Sequence, residues 1–211
     1  MGRANLAVGA EGRAETVVNR SRFIGLALPA ATPDLAGQAV QSVRLRYPDA
    51  SHHPFAWRAG TGQERASDDG EPQGTAGQPL LEALRRAEVA YGALVVVRYY
   101  GGRNLGRPGL YRAYLAAGQA ALARAEQLEL VWGTVYQLEV AQGARDRFLR
   151  GLEAAGGRHL GTEWREQILV QYWLPDGDSP VGTLLASYPG AVRSQPLRPE
   201  VSYQGRGAAR S

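Results

Sequence analysis

An unbroken apolar run at residues 94–97, Leu-Val-Val-Val, predicts a strand that lies inside a sheet and is covered on both faces. A stripe of leucines at helical spacing precedes the run and predicts a helix over residues 78–89, with Thr75 as its N-cap. After the run, Pro108 stands where the first residue of a helix would be, and apolar periodicity continues to residue 125. Helices on both sides of a buried strand in the sequence indicate an α+β domain.

Shorter elements precede this central strand. Residues 15–18 and 23–28 are typical of two strands joined by a polar turn, and residues 33–47 of a helix with one apolar face. Residues 52–58 alternate like a further strand. A long loop is expected at residues 59–74, because turn-forming residues recur through it.

The second half of the chain repeats the alternation of strands and helices. The predicted order is a strand at residues 135–140, a helix at 145–155, strands at 159–164 and 167–174, a helix at 180–188 and a strand at 191–195. This order is typical of a ferredoxin-like domain. We therefore predict an N-terminal domain at residues 15–127, a ferredoxin-like C-terminal domain at residues 132–197, and flexible tails at residues 1–14 and 198–211.

Several classes of protein are excluded or disfavoured by composition. The chain has no cysteine, which excludes disulfides and thiolate metal sites. Its apolar runs fall short of the roughly 18 residues that a membrane-spanning helix needs. The first 15 residues lack the apolar stretch of a secretory signal. We therefore expect a cytoplasmic protein that does not associate with membranes.

Positive charge is concentrated at the front of the chain. Residues 1–125 carry 15 arginines against 10 acidic residues, whereas residues 126–197 carry 6 against 9. Every basic residue is arginine, which suits phosphate recognition and is equally what a GC-rich genome produces. Because a polyanion is attracted to the more positive surface, we expect any polyanionic partner to bind the front half.

A glycine-rich loop with flanking arginines and tyrosines, residues 98–112, is the candidate nucleic-acid site. It lies between a strand and a helix but matches neither of the common nucleotide-binding glycine motifs. Its guanidinium groups can contact phosphates and its aromatic rings can stack on bases. A solvated basic rim with one core tyrosine is the alternative interpretation. The candidate residues are Arg98, Tyr99, Tyr100, Arg103, Arg107 and Arg112.

An acidic, glycine-rich turn at residues 67–77 is the second unusual segment. Its carboxylates, Asp68, Asp69 and Glu71, can hold Mg²⁺ or transfer protons, or they can accept hydrogen bonds at the start of the following helix. His52 and His53 are adjacent in a predicted strand, so they point to opposite faces and do not easily share one metal.

No nucleophile triad, zinc-protease motif or nucleophile elbow is present in the sequence. We therefore assign no catalytic residue, metal ligand or cofactor, and an enzyme is the less favoured interpretation. Two alternatives stay open. One is a metal-assisted hydrolase or other small-molecule enzyme centred on the acidic turn and His52 or His53. The other is a protein-interaction module that uses an exposed apolar groove.

Four segments, together with residues 105–106 and 110–114, resemble the YigZ/IMPACT family in the same order. They are Ser-Arg-Phe-Ile-Gly at residues 21–25, Asp-Ala-Ser-His-His at 49–53, Ser-Asp-Asp-Gly-Glu-Pro-Gln-Gly-Thr-Ala-Gly at 67–77, and Val-Val-Val-Arg-Tyr-Tyr-Gly-Gly at 95–102. The resemblance covers residues 15–125, and the second half is similar to the small C-terminal domain of bacterial members. Two departures stand out: Arg107 and Pro108 replace a Thr-Gly pair, and Gln78 replaces a common lysine.

The resemblance implies a fold and a field of action. The front domain would be a ribosomal-protein-S5 domain 2-like fold, similar to domain IV of elongation factor G, and the back domain ferredoxin-like. The implied role is regulation of translation through RNA, the ribosome or a protein partner of the translation machinery. The positions that would mark the family's surface are His52, His53, Asp68, Asp69, Glu71, Thr75, Arg98, Gly101, Gly102 and Arg112.

Overall fold

The computed structural model describes residues 6–60, 62–141, 143–176 and 191–205. The chain divides into two compact units, the first running to Glu129 and including the chain from Gln204, the second running from Leu130 to Tyr203. Both contain helices and strands, so the predicted α+β class is confirmed. Within the described part of the chain, every helix is too short or too polar to traverse a lipid bilayer.

The first unit is a twisted sheet with three helices. Its strands are β1 (Leu6–Ala10), β2 (Gly12–Val18), β3 (Ser21–Leu28), β4 (Phe55–Ala59), β5 (Gln63–Ser67) and β6 (Val89–Tyr99). Its helices are α1 (Pro33–Arg46), α2 (Gly77–Arg86) and α3 (Gly106–Leu122). β6 is central, as predicted: it pairs antiparallel with β3 and β4 and parallel with β1.

Side chains on β6 alternate between two hydrophobic cores. Leu94 and Val96 pack with residues of α2 and α3, whereas Val95 and Val97 pack with residues of α1. All four are fully buried. A strand with an apolar layer on each face has no polar side, which explains why its sequence is an unbroken apolar run.

Helix α3 lies directly against the backbone of β3. A Cβ atom on Gly25 would stand 2.4 Å from the carbonyl oxygen of Ala117, far inside contact distance. Glycine is therefore required here because the helix and strand backbones touch. This close approach packs α3 against the middle of β3.

Three predictions for the first unit are wrong. Residues 6–14 form β1 and the first part of β2 instead of a flexible tail, because their backbones complete ladders with β3, β6 and the strand that begins at Glu126. The expected loop at residues 59–74 contains β5, which pairs with β4. Thr75 is not the N-cap of α2; Ala76 occupies that position and makes no side-chain cap bond.

The second unit contains four strands and one described helix. They are β7 (Glu126–Val140), α4 (Arg145–Ala154), β8 (Arg158–Trp164), β9 (Ile168–Pro175) and β10 (Ala191–Gly205). β9 pairs antiparallel with both β7 and β8, and β10 pairs with β7. Phe148 and Leu152 of α4 join Leu138 and Tyr172 in the core.

Two predictions concern the end of this unit. The helix expected at residues 180–188 lies outside the described residues. The flexible tail predicted from residue 198 is wrong as far as residue 205, because β10 extends to Gly205.

Candidate nucleic-acid interface

An open cleft of about 530 Å³ lies where β6 ends. The acidic turn at residues 67–77 forms one side, and the glycine-rich loop between β6 and α3 forms the other. We call this space the loop cleft. Its polar and aromatic lining comes from His52, Glu71, Arg98, Tyr100, Asn104 and Arg107.

A buried ion pair forms the floor of the loop cleft. Glu71 Oε1 accepts hydrogen bonds from Arg98 Nη1 at 2.5 Å and from the hydroxyl of Tyr114 at 2.6 Å. The side chains of Arg98 and Glu71 are only 6% and 3% exposed. Burial, and then the bond to Glu71, raise the pKa of Tyr114, so its hydroxyl stays a donor.

The expected surface roles of Arg98, Glu71 and Thr75 are therefore corrected. The guanidinium of Arg98 is enclosed beside the rings of Phe23 and Tyr100, at 5.5 and 5.3 Å from their centroids. A phosphate would have to displace Glu71 to reach it. Thr75 is also buried, and its hydroxyl donates to the carbonyl of Pro72 at 2.6 Å.

The glycines of the loop are needed for its path. A Cβ atom on Gly101 would stand 2.1 Å from the carbonyl carbon of Arg20, in the turn between β2 and β3. Gly102 has a φ of +77°, in the left-handed region that glycine adopts without strain. Ser21 Oγ accepts from the Gly101 N–H at 3.2 Å and fixes the loop to the start of β3.

Asp68 supplies the helix cap that Thr75 was expected to supply. Its carboxylate accepts from the backbone N–H groups of Gly74, Ala76 and Gly77 at 2.7, 3.0 and 2.9 Å. Partial burial opposes ionisation, but these three donors and nearby Arg107 outweigh it and lower the pKa of Asp68. This acid therefore stabilises the start of α2.

Asp69 and the two histidines fasten the turn to its surroundings. Asp69 accepts from the N–H of His53 at 2.7 Å and from Arg44 Nη2 at 2.5 Å. The Asp69 carbonyl lies 2.9 Å from His52 Nδ1, and the Tyr47 carbonyl lies 2.8 Å from His53 Nε2. Because carbonyl oxygens only accept, both ring nitrogens donate.

The histidines face different carboxylates, although the predicted strand at residues 52–58 begins only at Phe55 and contains neither of them. His52 Nε2 lies 4.0 Å from Glu71, and His53 Nδ1 lies 3.9 Å from Asp69. Among the described residues, no three acidic or histidine side chains converge as a metal site would require. The acidic turn is thus used mainly to hold the first unit together.

The loop between β6 and α3 and the first turns of α3 carry exposed arginines, of which Arg107 lines the loop cleft. Arg103, Arg107 and Arg112 are exposed, and in the described part of the chain none forms a salt bridge. Arg107 donates to the carbonyl of Gln73 at 2.7 Å, which bridges the two loops. Most other arginines of this unit pair with acids: Arg13, Arg22, Arg44, Arg46, Arg58, Arg85, Arg86 and Arg98.

Arg20 is a rim residue that sequence reasoning missed. It is exposed in the turn before β3, with φ of +67°, and its backbone touches Gly101. Only the pairing of β3 with β6 brings this turn beside the loop, and no local motif signals that pairing. We call Arg20, Arg103, Arg107 and Arg112 the basic rim.

The two candidate stacking tyrosines differ in accessibility. Tyr99 is partly buried and donates its hydroxyl to Asp49 at 2.9 Å, and burial together with this acid raises the pKa of Tyr99. Tyr100 is 50% exposed and donates its hydroxyl to Asn104 Oδ1 at 3.1 Å. Only the Tyr100 ring lines the loop cleft.

Comparison with known proteins gives consistent matches. The model of the Impact N-terminal domain matches residues 19–122. The chain is 36% identical over 166 residues to the IMPACT family member YigZ of Escherichia coli (strain K12), covering 75% of this chain and 79% of that protein. It is 40% identical over 163 residues to the Thermus thermophilus IMPACT family member in the pol 5' region, covering 76% and 82%.

A solved structure is similar over nearly the whole chain. It is described as the crystal structure of a hypothetical protein, with 32% sequence identity and a TM-score of 0.66. The similarity covers 92% of this chain and 96% of that one. The match therefore includes residues of both units.

Proposed function

We propose that this chain, which belongs to the IMPACT family, binds RNA or an RNA surface of the ribosome. Membership of this family suggests a translation-related regulator. The basic rim of the first unit is the proposed contact surface. Its guanidinium groups contact phosphates, and the exposed ring of Tyr100 lies beside them for stacking.

One observation carries this proposal: within the described residues the rim arginines form no salt bridge, whereas most other arginines of the unit do. Internal ion pairs already neutralise those arginines, including Arg44, Arg85 and Arg98. The rim cations are left to attract an external anion. Arginine suits phosphate because its planar guanidinium donates two parallel hydrogen bonds.

The start of α3 adds to the positive character of this surface. α3 has no side-chain cap and no acidic residue in its first turn, whereas Asp68 neutralises the start of α2. An uncapped helix start presents partial positive charge and free N–H groups. Pro108 removes one of those donors, so the arginine side chains supply the main phosphate contacts.

We also propose a domain identity for each unit. The first is a ribosomal-protein-S5 domain 2-like fold, supported by helices on both faces of its sheet. The second is a ferredoxin-like fold. The strand neighbours β10, β7, β9 and β8, with α4 following the first strand, support that assignment.

Two of the three carboxylates that the hydrolase alternative requires have structural roles instead. Asp68 caps α2, and Asp69 binds Arg44 and the backbone of His53. Only Glu71 remains in the loop cleft, and its contacts with Arg98 and Tyr114 hold it in place. The RNA proposal needs no such group to be reactive.

The test is RNA binding by fluorescence anisotropy across a range of salt concentrations, with a single-stranded RNA oligonucleotide. In the rim variant, three residues are replaced with alanine: Arg103, Arg107 and Arg112. Each lost phosphate contact on single-stranded RNA lowers the salt slope by about 0.7. We expect the rim variant to bind more weakly, with a slope about two units shallower.

A matched control removes the same charge from arginines that already pair with acids. The control variant changes to alanine Arg46, Arg85 and Arg86. We expect it to keep most of the wild-type affinity and salt slope. Equal losses in the two variants, or no RNA binding by the wild type, would overturn the proposal.

A further inference from the structure

Three atoms in the loop cleft have hydrogen-bonding capacity that the protein does not use. Glu71 Oε1 is occupied by Arg98 and Tyr114, but Oε2 accepts no hydrogen bond within the described residues and is not sealed from solvent. Oε2 is therefore an acceptor at the cleft floor that no described residue occupies.

His52 supplies a second acceptor beside it. Its Nδ1–H donates to the Asp69 carbonyl, so in the neutral imidazole Nε2 carries a lone pair. That nitrogen lies 4.0 Å from Glu71 Oε1. Asn104 supplies the complementary donor: its Oδ1 accepts from Tyr100, which leaves the amide N–H groups available.

Apolar side chains line much of the cleft beside these groups, and its size is suitable. The half-exposed ring of Tyr100 is one wall, and Pro72, Leu105 and Leu110 lie beside it, together with Arg98 and Arg107. A volume of about 530 Å³ is in the range of sites that enclose small organic ligands. A flat apolar wall with a few polar groups at one end suits a planar heterocycle.

From these contacts, and resting on the proposed RNA binding, we propose that the loop cleft takes one unstacked guanine base of the bound RNA. The base stacks on Tyr100. Among the four RNA bases, guanine alone offers two adjacent donors, N1–H and the N2 amino group, to match Glu71 Oε2 and His52 Nε2. Its O6 accepts from the Asn104 amide.

This proposal assigns distinct roles to the two surfaces. The basic rim contacts phosphates and is indifferent to sequence, whereas the loop cleft reads one base. Reading an unstacked base by stacking and edge hydrogen bonds is the usual route to sequence preference in single-stranded RNA. The contribution of the basic rim is therefore measured by the dependence of affinity on salt concentration, and that of the loop cleft by its dependence on the identity of the base.

The test uses oligouridine RNAs that differ only in one central nucleotide: guanosine, inosine, adenosine, cytidine or an abasic site. Inosine lacks only the N2 amino group. We expect guanosine to bind about 5- to 150-fold more tightly than adenosine or cytidine, with inosine between. Equal affinity for all five oligonucleotides would overturn the guanine assignment while leaving the rim proposal standing.

Variants assign the effect to the cleft. Tyr100→Ala should lower affinity for the guanosine oligonucleotide about 5- to 150-fold without changing the salt slope, and Tyr100→Phe, which keeps the ring but not the hydroxyl that orients Asn104, should lower it less. Asn104→Ala should reduce the preference for guanosine and leave binding to the abasic oligonucleotide unchanged. This variant leaves Glu71 in place, because we expect replacement of Glu71 to disturb folding. Unchanged base preference in both alanine variants would refute the site, whereas no binding to any oligonucleotide would refute the RNA proposal itself.

Discussion

Replacing Glu71 with glutamine tests how much the buried floor of the loop cleft contributes to folding. The substitution keeps the size of the side chain but removes the charge that faces Arg98. The Arg98 side chain is 6% exposed and its Nε–H makes no hydrogen bond within the described residues, so little water is available to replace the lost carboxylate. Removing one partner of a buried ion pair costs about 3–5 kcal/mol.

A second substitution separates the hydrogen bond from the charge. Tyr114→Phe removes only the hydroxyl that donates to Glu71, and a hydrogen bond to a charged group contributes about 1.5–3 kcal/mol. We therefore expect Glu71→Gln to destabilise more than Tyr114→Phe. Combining Glu71→Gln with Arg98→Met should recover part of the loss, because the unpaired cation is removed as well.

Glu64→Gln is the matched control. Glu64 pairs with Arg85 and Arg58 in the same unit, but the three side chains are 31%, 54% and 21% exposed, far more than Glu71 and Arg98. An exposed pair contributes less than about 1 kcal/mol. Urea unfolding of the full chain gives each free energy, and hydrogen exchange in β3 and β6 assigns the change to the first unit. A loss for Glu71→Gln no larger than that for Glu64→Gln would refute the reasoning.

The remaining predictions concern the cap of α2 and the contact between α3 and β3. Because the pKa of Asp68 is lowered in the folded state, its contribution is complete above its usual value of 3.8 and is lost as pH falls through the lowered value. Asp68→Asn should cost about 1–3 kcal/mol near neutral pH, and the difference from wild type should shrink under strong acid; a constant difference in acid-dependent urea titrations would contradict this. Gly25→Ala should destabilise by about 1–3 kcal/mol, because the new methyl meets the Ala117 carbonyl, whereas Gly37→Ala on the open face of α1 should stabilise by about 0.5–1 kcal/mol. Similar shifts in thermal midpoint for the two glycine variants would count against the contact.

Burial patterns were predictable where one strand carries its own apolar signal. Residues 94–97 predicted the central strand because both faces of β6 are covered. β5 escaped prediction because its residues, Gln63–Ser67, are polar and largely exposed, and only backbone pairing with β4 makes them a strand. Residues 6–14 escaped for a similar reason, since small residues without clear periodicity form β1 and part of β2.

The candidate site was predictable in position but not in every role. The sequence located the two loops that form the cleft, because glycines, arginines and acids cluster there. It placed Arg98 at the surface, since a lone arginine after an apolar run is usually exposed. Its burial depends on Glu71, 27 positions earlier, and that partnership requires the folded arrangement of two loops. Arg20 was missed because only strand pairing brings it near Gly101.

The three carboxylates of the acidic turn reach all three helices of the first unit. Asp68 holds the start of α2, Asp69 binds Arg44 of α1, and Glu71 joins Arg98 to Tyr114 of α3. These contacts order the turn when the unit folds, before any ligand binds. A ligand therefore binds to a cleft whose walls are already ordered, so the conformational entropy lost on binding is mainly that of the ligand. A preordered cleft selects ligands by their shape and their hydrogen-bond donors, and it changes its own conformation little for a ligand that fits poorly.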